Sequence, residues 1–230
     1  MSVADVIRVV LVDDQELFRV GVTVVIDAQP DMQVVGQAGN GADGVTITRQ
    51  LRPDIVLMDL RMPVMDGVEA TRQIVHHADA TPDDAPVAVS APRVIVMTTF
   101  DLDKAAAESI RNGASGFLLK GASPELLCAT IRTVHDGSEV LARGKLRAVL
   151  ELIHPNQPTP ETPHAFTTLT EREREVFRAA SLGLSNAEIA QSVYLSESTV
   201  KTHVSSILNK LVLRDRVQIV VFAHKYNLAP

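Results

Sequence analysis

IVLMDLRMPVMDG, residues 55–67, runs from four apolar residues straight into a single carboxylate, Asp59, and then within four residues into Met62-Pro63. Ile55 to Met58 is good material for a buried strand. A lone Asp after such a strand is ordinarily an acidic turn residue or a helix cap, solvated at the end of a sheet. Whether Asp59 does more depends on what the rest of the chain brings beside it.

Working outward, one pattern repeats five times. Short β-branched runs at Ile7 to Val12, Gln33 to Gln37, Ile55 to Met58, Arg93 to Met97 and Gly116 to Leu119 alternate with amphipathic stretches near 17–28, 42–51, 67–77, 103–112 and 123–136. Alternation of strand and helix predicts a parallel sheet covered on both faces, and a continuous apolar run such as VIRVVLV suits a strand buried on both sides. The expected fold is therefore α/β, a doubly wound (βα)5 unit of flavodoxin-like type.

In a parallel sheet every strand delivers its carboxyl end to the same edge, and ligands bind there, where the winding reverses. Strand one ends in Asp13-Asp14, strand three in Asp59, strand four in Thr98-Thr99 and strand five in Lys120. Three carboxylates crowded at one edge repel one another unless a cation joins them, and an all-oxygen site with few protein ligands suits Mg2+, which keeps its waters. An aspartate so placed can attack phosphorus, with Mg2+ and Lys120 neutralising the transferring group and Thr98 donating to one of its oxygens.

The DD after strand one, D-x-x-M-P-x-x-D-G at 59–67, Thr98 and GASGFLLK at 113–120 resemble the receiver domain of two-component response regulators. The resemblance spans about residues 5–136. It implies Asp59 as phospho-acceptor from a sensor histidine kinase, and Asp13 and Asp14 as acidic Mg2+ residues beside Asp59. It further implies the backbone carbonyl of Arg61 as another metal ligand, Lys120 as phosphoryl partner, and Thr98 with Phe117 as a switch pair, Thr98 moving toward the phosphate while Phe117 turns inward. Pro63 fixes its own φ and biases Met62 to extended backbone, stiffening the loop around Asp59.

Composition sets the frame around this unit. At 230 residues and 46% hydrophobic content the chain suits two domains, each with its own core. Cys128 is the single cysteine and cannot form an internal disulfide, and neither a signal pattern nor an apolar run of membrane-spanning length is evident. A cytoplasmic protein without a membrane partner is expected. From Ala165 onward eight Lys/Arg face six Asp/Glu, net +2, which leaves −8 for residues 1–164 of a total of −6. That asymmetry permits nucleic-acid binding by the second part.

Two stretches lie outside the repeating pattern. Residues 78–92, ADATPDDAPVAVSAP, form a connection of fifteen residues, where helix-to-strand connections usually take about two to six. It is read as a loop insertion at the edge opposite Asp59, without a chemical role. Residues 137–165 are read as a linker, first with helical spacing at Leu146, Val149, Leu150 and Ile153, then Pro-rich, with four prolines in HPNQPTPETPHA.

The last 65 residues, 166–230, change period. Thr170 to Ala180, Ser185 to Val193, Ser196 to Leu211 and Arg214 to Asn227 read as four helices in a small bundle, with capping boxes at Thr170/Glu173 and Ser185/Glu188 and a cap at Ser196. In the third, Val200, Val204, Ile207, Leu208 and Leu211 turn inward, while Ser198, Lys201, Thr202, Ser205 and Asn209 form a donor-rich face without acids. A helix of that kind behind a tight turn is how a helix-turn-helix reads a major groove.

LTEREREVFRAASLGLSNAEIAQSVYLSESTVKTHVSSILNKL resembles the LuxR-type DNA-binding domain, so that the whole chain resembles a NarL/FixJ response regulator. This implies promoter DNA as a partner and a homodimer when phosphorylated, with the helix from Arg214 as a dimer surface. It implies Lys201, Thr202 and Ser205 toward base edges or phosphates, and Thr199 and Lys210 toward the DNA backbone. Val212 stands where the family commonly has Gly; a left-handed Val is strained, so this helix end is expected to depart from the family.

Two other classes make different predictions. A haloacid-dehalogenase-like phosphatase needs a second Asp two residues after its nucleophile, where this chain has Arg61. An atypical receiver that takes no phosphate would lack an acidic or lysine position, and all are present. The expected output of phosphorylation is a changed receiver surface around its fourth and fifth helices, which either releases the DNA-reading helix or pairs two receivers.

Overall fold

The chain forms β1 (Ile7–Val12), α1 (Glu16–Asp27), β2 (Met32–Ala38), α2 (Gly41–Leu51), β3 (Ile55–Asp59), α3 (Gly67–Asp79), β4 (Arg93–Thr98), α4 (Lys104–Arg111), β5 (Gly116–Leu119) and α5 (Pro124–His135). The computed structural model describes residues 6–79, 92–99, 104–136 and 162–228, which fall into two compact units divided between Val140 and Leu141. All five strands are parallel, in the order β2-β1-β3-β4-β5. The winding reverses between β1 and β3, as in a doubly wound sheet.

Burial explains the composition of each strand. The inner strands β1, β3 and β4 are buried along nearly their whole length, whereas the edge strand β2 is buried only at Met32 and Ala38. One face of the sheet packs Val9, Leu11, Ile55, Leu57, Ile95 and Met97 against Val22 and Ile26 of α1 and Leu127, Ile131 and Val134 of α5. The alternate residues Val10, Val12, Val56, Met58, Val94 and Val96 fill the other face, also buried. A run without polar breaks is what a strand covered on both sides requires.

Helix ends are set locally. Asn40 caps α2, its side chain accepting from Asp43 N, and Ser123 caps α5 with Pro124 at the first turn. Arg93, at the start of β4, donates to the carbonyls of Val134 and His135 and so closes the end of α5. α3 runs to Asp79, two residues past its expected end, so the connection to β4 begins inside the stretch read as an insertion. Residues 80–91 and most of the linker lie outside the described residues.

Among its described residues the second unit has five helices: α6 (His164–Thr167), α7 (Glu171–Ser181), α8 (Asn186–Val193), α9 (Glu197–Leu211) and α10 (Arg216–Lys225). The expectation of four helices preceded by an extended linker is corrected here. HAFT forms a helical turn after Pro163, and Ala165 and Phe166 pack on the core of this unit. Phe166 meets Phe177 edge to face at 5.1 Å between centroids, and Phe177 meets Phe222 at 6.1 Å, so the turn is held by an aromatic cluster. Both capping boxes are formed, Thr170 with Glu173 and Ser185 with Glu188.

α9 ends at Leu211, with Val212 as its C-cap at φ 53° and ψ 48°. The expected departure at this helix end is therefore absent. The chain takes the left-handed cap with a β-branched, 88% exposed residue that gains no packing in return.

Candidate functional site

The register of the sheet builds the site before any side chain is considered. Val12 lies opposite Met58, so the next residues, Asp13 and Asp59, leave adjacent strands together. Asp59 pairs with Met97, which puts Thr98 next on β4, and Lys120 follows β5 with its N–H donating to the Thr98 carbonyl at 2.7 Å. Asp13, Asp59 and Thr98 are buried, whereas Asp14 is exposed.

Lys120 Nζ lies 2.8 Å from Asp13 Oδ2 and 3.0 Å from Asp59 Oδ2. Asp13 Oδ1 accepts from the Gln15 N–H at 2.9 Å, which fixes the carboxylate plane. Carboxylate oxygens of Asp13, Asp14 and Asp59 all come within 4.8 Å of one another. Burial pushes the Asp59 carboxyl above the usual carboxylate range and the Asp13 charge adds to this, against the pull of the hydrogen bond from Lys120. For Lys120, burial acts downward, but hydrogen bonds to both carboxylates win and hold the ammonium above its ordinary value.

The loop after Asp59 is short of space. A Cβ on Gly67 would lie 1.9 Å from the Asp59 carbonyl oxygen, so only glycine lets α3 start this close to the end of β3. Asp66 caps α3 through Glu69 N at 2.9 Å, and Gly67 N donates to the Leu60 carbonyl at 3.0 Å. Between them the backbone makes a γ-turn: Met65 N donates to the Pro63 carbonyl at 2.8 Å, with Val64 at φ 69°. The Met65 carbonyl accepts from Gly41 N at 3.0 Å and ties this loop to α2.

In the second unit, α8 and α9 are joined through Tyr194 at φ 53°, and Ser196 caps α9 by accepting from Thr199 N. Lys201, Thr202 and Ser205 are exposed on α9, and the two hydroxyls bond back to the carbonyls of Ser198 and Lys201. A short tight turn followed by a helix with donors in its first half is helix-turn-helix geometry.

Comparison with known proteins agrees with both halves. Residues 9–132 match the response regulator receiver domain, and residues 167–223 match the luxR family of bacterial regulatory proteins. The chain is a response regulator. It is 38% identical over 219 residues, 95% of each chain, to the uncharacterized transcriptional regulatory protein YxjL of Bacillus subtilis. It is 36% identical to the transcriptional regulatory protein LiaR of the same organism, over 96% of this chain and 99% of that one. Among solved structures, a LuxR-family two-component response regulator from Aurantimonas sp. SI85-9A1 is 28% identical with a TM-score of 0.54, over 64% of this chain and 98% of that one. The response regulator ChrA of a heme-sensing two-component system is also 28% identical, with a TM-score of 0.50, over 97% of this chain and 98% of that one.

As a receiver domain followed by a LuxR-type DNA-binding domain, the response regulator brings Asp13, Asp14, Asp59, Thr98 and Lys120 to one rim. Arg61 stands exposed in the loop, and its N–H donates to the Asp59 carboxylate. Phe117, on β5, is buried at 8% exposure. Two residues expected at DNA also have partners within the unit. The Thr199 hydroxyl lies 2.7 Å from the Ser196 hydroxyl within the cap, and Lys210 Nζ lies 2.7 Å from Glu173 Oε2. Sequence reading found Glu173 as a capping-box residue and missed this second partner, 37 residues away, which no local pattern signals.

Among the described residues, no helix is long and apolar enough to cross a membrane.

Proposed function

We propose that this response regulator accepts a phosphoryl group on Asp59 from a sensor histidine kinase in the cytoplasm and converts it into control of promoter binding. The observation that carries the reading is the Asp59 carboxylate at the end of β3 with Lys120 Nζ at 3.0 Å and Asp13 beside it. The attacking carboxylate oxygen forms a bond to phosphorus as the donor's bond to phosphorus breaks, the leaving group keeping the electron pair. Lys120 stays within reach of the incoming oxygens, and Thr98 offers a hydroxyl on the adjacent strand.

The donor set fits a hard divalent cation. Three carboxylates against one ammonium leave two negative charges at a rim made of oxygen ligands, which suits Mg2+ held by Asp13, Asp14, Asp59 and the Arg61 carbonyl. When bound, Mg2+ supplies charge neutralisation to the transferring phosphoryl group. The chain's own residues orient it: Gln15 N–H holds Asp13, and Gly67 allows the close loop that presents Arg61.

In the second unit the exposed face of α9 supports DNA reading by Lys201, Thr202 and Ser205, whose hydroxyls must turn from their own helix to do so. Thr199, in the first turn of the same helix, is placed toward the DNA backbone, its hydroxyl likewise turning from an internal partner. Phosphorylation then acts through the switch pair Thr98 and Phe117 and the receiver surface, and homodimerisation brings two such helices to two half-sites.

The test is incubation with acetyl phosphate and Mg2+ followed by intact-mass measurement. One phosphoryl group is expected on the wild-type chain and none on Asp59→Asn. Stoichiometric uptake by Asp59→Asn would remove Asp59 as the acceptor.

A further inference from the structure

Glu173 sits in the first turn of α7, only 4% exposed, and both its carboxylate oxygens accept hydrogen bonds. Its Oε2 accepts from Thr170 N at 2.7 Å and from Lys210 Nζ at 2.7 Å, and its Oε1 accepts from the Ser206 hydroxyl at 2.6 Å. Ser206 and Lys210 are one turn apart on α9, on the side that meets α7. Burial alone would raise the Glu173 carboxyl, but hydrogen bonds from Lys210, Ser206 and Thr170 bring it down to about 2.

Helical geometry sets Lys210 apart from Lys201 on α9. At 3.6 residues per turn, Lys210 is turned about 180° from Lys201 and displaced about 13 Å along the axis. Ser205 is only about 40° from Lys201, and Ser206 about 40° from Lys210. Lys201 and Ser205 thus lie on one side of α9 and Lys210 on the other, while Thr202, about 40° from Ser206, falls between the two sets.

We infer that Glu173, Ser206 and Lys210 form an interhelical clamp that sets the pose of α9 on α7, making Lys210 a positioning residue for DNA reading rather than a phosphate contact. This rests on the reading of α9 as the DNA-recognition helix. A buried carboxylate whose partners come from one face of one helix leaves that helix a single azimuth, because rotation would strand the charge. The clamp thereby fixes where Lys201, Thr202 and Ser205 present their donors.

The experiment uses the full-length chain, with binding followed by fluorescence anisotropy on two duplexes: a random sequence and a sequence selected in vitro by the wild type. A lysine that neutralises a phosphate adds about 0.9 to the slope of log affinity against log salt. Lys210→Met is expected to keep the wild-type slope on random DNA. The ratio of selected to random affinity should fall roughly tenfold, the size of coupling within one hydrogen-bonded network. Ser206→Ala removes no charge, keeps the fold if Lys210→Met does not, and should lower the same ratio at unchanged slope. A slope flattened by about 0.9 in Lys210→Met, or a wild-type ratio in folded Ser206→Ala, overturns the clamp. Failure of the wild type to bind either duplex would instead overturn the DNA-binding reading on which the clamp rests.

Discussion

Asp59 carries a cost that its chemistry requires. Its folded-state carboxyl is held above the unfolded one, chiefly by burial, so the folded state keeps a proton through a pH window where the unfolded state has lost it. Stability from this group is full below the ordinary carboxylate range and is lost as pH rises through the raised folded value. Asp59→Asn has no such loss. Its melting temperature, measured by scanning calorimetry without divalent cations, should therefore gain on the wild type as pH rises from below that range to neutrality. A gap that shrinks with rising pH would contradict the burial argument. Lys120 behaves in the opposite sense, because Lys120→Met leaves Asp13 and Asp59 facing each other without a cation. We expect it to destabilise the receiver domain by about 3 kcal/mol in a urea titration, with part restored by millimolar Mg2+.

At the scale of elements, the left-handed caps are where this chain departs from the cheapest solution. Val212 gains no packing for its conformation, so Val212→Gly should stabilise the second unit by about 1 kcal/mol, the left-handed penalty less the glycine entropy. The chain has two tyrosines and no tryptophan, and both tyrosines, Tyr194 and Tyr226, belong to the second unit. Tyrosine emission during urea unfolding therefore reads this variant without interference from the receiver. The same elements show what sequence made legible. β1, β3 and β4 could be read because burial on both faces leaves an unbroken apolar run, and the rim residues followed from parallel topology alone. α6 could not be read, since four residues after Pro163 are too short to show a period, and its stabilisation comes from Phe166 meeting Phe177 and Phe222. The commitment of Lys210 was also out of reach, because Glu173 already satisfied a local capping rule and its second partner is a tertiary one.

For the whole molecule, the question is how a phosphoryl group on one unit changes DNA binding by the other. If phosphorylation lifts a restraint, residues 162–230 alone should bind the selected DNA without phosphodonor, about as tightly as the phosphorylated full-length chain. If it acts by pairing receivers, the fragment should bind weakly, since driving a two-state equilibrium from 1:99 to 99:1 takes about 5.5 kcal/mol that receiver contacts would no longer supply. We expect the first outcome, read by gel-shift titration of both proteins with and without acetyl phosphate. A phosphodonor that changed neither affinity nor oligomer size would argue against both routes. The sheet itself offers a separate practical use. Its strand-to-helix rim holds Asp13, Asp59, Thr98 and Lys120, while α3 ends at Asp79 and β4 begins at Arg93 on the other rim. For anyone wishing to follow this protein in living cells, the stretch 80–91 is thus the place to splice an epitope or a fluorophore-accepting tag, and a tagged chain should take up phosphate at the untagged rate.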